Sequence, residues 1–126
     1  MLTGHTIEII SKQAVAEYPS ECCGIVTGNA SAQRVHPCRN RQDELHARDP
    51  ERHPRTSREV VCFYHSHIDC GAYFSQMDKE VLTVFGEPEF PDALHVVVSV
   101  QDRQVKEISG FRWGGTEQDF VPVMVS

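Results

Sequence analysis

Residues 60 to 67 read VVCFYHSH, a continuous apolar run that ends in two histidines one residue apart. Val, Phe and Tyr favour strands, and a run with no polar alternation fits a central strand covered on both faces. Side chains alternate faces along a strand with period two. His65 and His67 therefore point the same way from the end of a buried strand. A chain holding this segment needs a sheet with a layer on each side, and it carries two imidazoles to one edge of that core.

The remaining sequence supplies the other layers. In TIEIISKQAVAEY, residues 6 to 18, Ile7, Ile10, Ala14 and Tyr18 fall on one helical face, and Pro19 ends the helix. CCGIVTG reads as a short buried strand, GNAS as a turn and AQRVHPC as its hairpin partner. Residues 39 to 59 are almost all charged, Pro or polar, a connection longer than compact domains usually carry. From Ser75, SQMDKEVLTVFG predicts a helix of about three turns. In it Met77, Val81, Leu82 and Phe85 face inward, and Gly86 and Pro88 end it. LHVVVSV and VKEISGFRW are two strands around the turn QDRQ, and DFVPVMVS closes the sheet, with Pro122 placing it at an edge. The order of helix, strands, helix and strands predicts an α/β fold, a mixed sheet with helices packed on it. With 126 residues and no internal repeat, the expectation is a single domain over 1–126.

Composition removes several classes of function. The formal charge of −6 makes the chain a poor candidate for gripping a phosphate backbone, so no nucleic-acid partner is expected. No apolar run approaches the ~18 residues of a membrane span, and the N-terminus MLTGHTIEII has no signal-peptide core. Five cysteines, two of them adjacent at Cys22 and Cys23, do not suit a secreted disulfide framework. These features predict a cytoplasmic protein with no membrane partner.

Neutral histidine nitrogens and carboxylate oxygens are zinc ligands, and three protein ligands leave a fourth position for water. Asp78 follows His67 closely enough for a loop and the first helical turn to return it over the strand end. An attacking water also needs a base near the metal but not on it. Spacing alone does not choose that carboxylate. Glu21 stands out because it leads the apolar strand CCGIVTG, where a charged residue needs a partner or a task. Each member has a plainer reading. Ser75-x-x-Asp78 is also a helix capping box, an isolated His-x-His is weak, and Glu21 is also a solvated residue after a helix. His5, His36, His46, His53 and His95 are expected to be surface or satisfied core groups. The information lies in the conjunction.

That conjunction is Glu21, then His65-Ser66-His67, seven residues, Ser75, two residues, Asp78. It closely resembles the JAMM (MPN+) zinc metalloproteases, and the lead-in YPSECCGIVTG resembles their prokaryotic members. The resemblance implies a cytidine deaminase-like JAMM/MPN fold, a mixed sheet flanked by helices. It implies one zinc ion per chain held by His65, His67 and Asp78, with Glu21 as general acid/base and Ser75 at the developing oxyanion. It carries no catalytic role to Ser66 or the cysteines. The chain departs from the family in having Ile68 where Pro commonly follows the second histidine, and Phe74 where Pro often precedes the serine. The segment IDCGAYF is thus expected to take its own path, and Cys70 lies within it. By resemblance the substrate is the amide bond after the Gly-Gly tail of a ubiquitin-like or sulfur-carrier protein. Two alternatives stand beside it: a non-catalytic interaction module, and a zinc hydrolase acting on another peptide, such as a cell-wall or phage-related one.

Overall fold

A computed structural model of the chain describes residues 1–38, 60–81, 83–84, 87–88, 90 and 92–126. Helix α1 spans Gly4–Glu17 and is followed by strands β1 (Cys23–Gly28), β2 (Gln33–Cys38) and β3 (Val60–Ile68). Helix α2 (Gln76–Val81) and the short strands β4 (Thr83–Val84) and β5 (Glu87–Pro88) come next. Strands β6 (Leu94–Gln101), β7 (Gln104–Gly114) and β8 (Asp119–Val123) complete the chain. Six strands form one sheet in the order β2-β1-β3-β6-β7-β8, and β4 pairs with β5 apart from it. The β3–β6 pair is parallel and the other pairs are antiparallel, so the sheet is mixed. The expected α/β class, the order of helix, strands, helix and strands along the chain, and the edge position of Pro122 are all present.

The central pair is buried on both faces. On one face Cys62 and Tyr64 of β3 and Leu94, Val96, Val98 and Val100 of β6 pack under Ile10 and Ala14 of α1. Burying a Val or Leu side chain contributes about 1.5–3 kcal/mol, so this face supplies much of the driving force. Thr3 caps α1 by accepting from the Thr6 amide. The Tyr64 hydroxyl donates to Gln13 Oε1, and Gln13 Nε2 donates to the Cys23 carbonyl at 3.3 Å. This links α1 to β1 and β3 at the end of the sheet where the histidines lie. Gly24 permits the contact: a Cβ there would overlap the Tyr64 hydroxyl and lie 2.7 Å from the His36 carbonyl oxygen.

The opposite face carries Phe63, His65 and His67, in parallel register with His95, Val97 and Ser99 of β6. Here Val97 packs with Ala72, Phe74 and Phe120, and Phe63 packs with Ile25 and Ala93.

The second helix corrects one expectation. It spans six residues, Gln76–Val81, rather than three turns. Thr83–Val84 pairs with Glu87–Pro88 as a small antiparallel ladder. The β-branched stretch that reads as a helical face is better suited to a strand, because χ1 restriction weakens Val and Thr in helices. Met77 does not face inward but is 72% exposed; the side chain that α2 turns inward is Asp78. Leu82, Phe85, the Val81 side chain and the Gly86 stop lie outside what is described, as do residues 39–59 with His46 and His53.

Candidate metal centre

Strand β3 delivers His65 and His67 to one face of the sheet, and α2 brings Asp78 against them. Their exposures are 7%, 8% and 7%. His65 Nε2 lies 3.2 Å from His67 Nε2 and 3.1 Å from Asp78 Oδ2. The third edge, from His67 Nε2 to Asp78 Oδ2, is 3.6 Å. Three ligands at ~2.0–2.1 Å from one tetrahedral zinc lie about 3.3 Å apart, so the triangle has the dimensions of one face of such a site. Among the described residues this is the group of His, Cys, Asp and Glu side chains that can hold a metal ion, and Cys70 is not part of it.

Hydrogen bonds outside the triangle orient its members. His67 Nδ1 donates to the Gly71 carbonyl at 3.1 Å in the neutral ring, leaving the Nε2 lone pair directed at the site. Ser75 and Asp78 form the capping box: the Asp78 amide donates to Ser75 Oγ at 3.1 Å, and the Ser75 amide donates to Asp78 Oδ2 at 2.9 Å. The capping reading and the metal-site reading are therefore compatible, since the cap holds the same oxygen that faces the imidazoles.

The charges within the group are strongly coupled. Burial alone would raise the Asp78 pKa, but hydrogen bonds from His65 and His67 outweigh it and hold the carboxyl far below the usual range. His67 is raised above the ordinary histidine value. The hydrogen bond with Asp78 leads, burial opposes, and the Gly71 carbonyl and the charges of Asp78 and Glu21 add to the rise. A buried cluster of this kind favours a positive charge at its centre.

Glu21 is exposed just before β1. Its strand end is fixed by Ser66, the residue between the two histidines. The Ser66 amide donates to the Cys22 carbonyl at 2.9 Å, and the Cys22 amide donates to Ser66 Oγ at 2.7 Å. Cys23 pairs with His65. Glu21 lies two residues before Cys23, and its charge contributes to the rise at His67. Burial pushes the Cys22 thiol up to about 11, so it stays protonated at neutral pH.

Of the other histidines that are described, His5 and His36 are as expected. His5 is exposed, and His36 Nε2 lies 2.8 Å from Thr27 Oγ1. His95 is buried among Phe63, Phe74 and Phe120. Sequence reasoning did not find the Gly71 carbonyl, nor Tyr73, whose ring meets His67 edge-on with centroids 4.9 Å apart. Nor did it single out Ser99, although a serine inside LHVVVSV is a buried polar group that requires a partner.

A mixed sheet with α1 on one face and a His-His-Asp cluster on the other defines a small α/β domain with a candidate metal centre. The family model for prokaryotic homologs of the JAB domain matches residues 4–113, and the chain belongs to that family. It is similar to tail tip assembly protein K of Escherichia phage N15, with 38% identity over 84 residues, 59% of this chain and 32% of that protein. The chain thus spans about a third of that relative's length. A solution structure of a protein from Salinibacter ruber shares the fold, with a TM-score of 0.64 at 22% identity over 98% of this chain and 88% of that one. Among the described residues no helix is long and apolar enough to cross a membrane.

Proposed function

We propose that the chain is a zinc-dependent amide hydrolase of the JAMM type, with His65, His67 and Asp78 as the ligands of one zinc ion. The observation that carries the reading is the buried triangle of 3.1, 3.2 and 3.6 Å edges; the charge of Glu21 acting on His67 supports it. Some members of the family are metalloproteases, and the donor set is one that zinc accepts.

With zinc held by His65, His67 and Asp78, the site would gain a Lewis acid able to polarise an amide carbonyl and to make water nucleophilic at about pH 7. Glu21 takes the proton from the attacking water and later delivers it to the departing amine. Ser75 Oγ already accepts from the Asp78 amide, so its own proton is available to donate to the developing oxyanion. Asp78 and His67 enter the reaction fixed, one by the helix cap and the other by the Gly71 carbonyl.

The 38% likeness to a protein named for phage tail-tip assembly supports a phage-related polypeptide as the substrate class. We place the cleaved amide bond there, in preference to the Gly-Gly tail of a ubiquitin-like or sulfur-carrier protein. The test combines metal analysis with cleavage assays. Purified protein should carry about one zinc per chain, and Glu21→Gln should keep zinc while losing cleavage of tail-tip polypeptides. Cleavage of a Gly-Gly-tailed carrier instead would restore the family-derived substrate. Absence of zinc binding would leave the non-catalytic interaction module.

A further inference from the structure

We propose that Ser99 is a positioning residue for His67, acting through the Asp69–Gly71 loop; this rests on the reading of His67 as a metal ligand. Ser99 is fully buried in β6 and pairs in parallel register with His67, so both side chains stand on the same face of adjacent strands. Its hydroxyl donates to the Cys70 carbonyl. Gln101 Nε2 reinforces that point, donating to Ser99 Oγ at 3.0 Å and reaching the Cys70 carbonyl at 3.4 Å. The next carbonyl along the chain, that of Gly71, receives His67 Nδ1.

The loop is pinned at its start as well. The Asp69 amide donates to the Val100 carbonyl at 2.8 Å, and Asp69 has a φ of 55°. That left-handed conformation is one Asp adopts more readily than most residues. The Tyr18 hydroxyl donates to the Asp69 carboxylate at 3.0 and 3.1 Å. With Asp69 and the Cys70 carbonyl both held, the Gly71 peptide has little freedom, and its oxygen stays within hydrogen-bond reach of His67 Nδ1. Hydrogen bonds from β6 thus hold the turn at two successive residues.

A buried serine that only satisfied its own hydroxyl would affect stability and nothing further. A positioning serine also affects which nitrogen of His67 carries the proton. Zinc alone is the probe, with affinity measured by chelator competition, and ring-nitrogen NMR reports the His67 tautomer in metal-free and zinc-loaded protein. Ser99→Ala should weaken zinc binding up to about 10-fold, the low end of what removing a ligand's direct hydrogen-bond partner does, because Ser99 holds the loop rather than the ring. It should also convert the metal-free His67 ring from the Nδ1–H form to a mixture of tautomers. Gln101→Ala should move both readings in the same direction by less, and it decides the matter if Ser99→Ala does not fold. Folded variants with unchanged zinc affinity and an unchanged tautomer overturn the proposal. So does a loss of melting temperature with the tautomer intact. If zinc fails to shift the His67 ring signals of the unsubstituted protein, the metal-site reading falls as well. If zinc shifts them and the variants do not, only the role of Ser99 falls.

Discussion

His65 Nε2 and His67 Nε2 lie 3.2 Å apart in the interior of the protein, with Asp78 Oδ2 at 3.1 Å from the first of them. Two protonated rings would repel at that distance, whereas two lone pairs on one cation are at the expected separation. Zinc should therefore stabilise the fold by mass action, about 2.7 kcal/mol at a hundred times its dissociation constant. Melting temperature measured across a zinc titration checks this. His65→Ala and Asp78→Ala should each abolish the zinc-dependent rise.

The pH dependence of stability should differ with and without metal. In metal-free protein Asp78 is depressed, so its contribution is present above the ordinary carboxylate range and is lost as pH falls through the depressed value. His67 is raised, so its contribution is complete below the unfolded value of about 6.5 and is lost as pH rises through the folded one. Metal-free stability should decline as pH rises from about 6.5 through the raised His67 value, by at most about 1.36 kcal/mol per pH unit per proton lost. The stabilisation added by zinc should grow over the same interval, because protons compete for the same nitrogen. Calorimetry of the two forms across that range checks the widening gap, and His67→Ala should remove most of it.

Ser75 has two separable duties. As a helix cap its hydroxyl oxygen accepts from the Asp78 amide, and as the proposed oxyanion donor it gives its proton to substrate. Ser75→Gly costs only a few tenths of a kcal/mol as a cap replacement, whereas Ser75→Ala costs about 1 kcal/mol. Both variants should lose turnover by about 10²–10³-fold, since both lack the donor. Ser75→Thr should recover most of it. Equal turnover in Ser75→Gly and the unsubstituted protein would reduce Ser75 to a cap.

Much of this arrangement was legible in the chain. The run VVCFY predicts a central strand, and β3 lies between β1 and β6. The period of two predicts that His65 and His67 share a face, and their ring nitrogens meet. Asp78 was legible through the capping-box spacing, because a cap fixes a carboxylate at a helix start whatever that carboxylate also does. The length of α2 was not legible: Val, Leu, Thr and Val satisfy helical and strand periodicity equally in so short a stretch. The Gly71 contact was not legible either. It belongs to a backbone carbonyl, which has no side-chain signature, and its direction is set by Ser99 and Gln101, remote in sequence.

Ser66 lies between the two histidines, and its side chain points to the other face of β3, where it is fully buried. Its hydroxyl accepts the Cys22 amide at 2.7 Å while its own amide donates to the Cys22 carbonyl at 2.9 Å. This two-point link ends one residue from Glu21. Ser66→Ala leaves the Cys22 amide buried and unpaired, which costs about 1–3 kcal/mol. The histidines are held separately, through Gly71 and Asp78, so zinc affinity should change little. Turnover should fall much further than zinc affinity, because the strand end that carries the proposed base has lost its anchor. Zinc affinity and cleavage rate measured on the same Ser66→Ala preparation check the split. A proportional fall in both would mean that Ser66 supports the ligands rather than the position of Glu21.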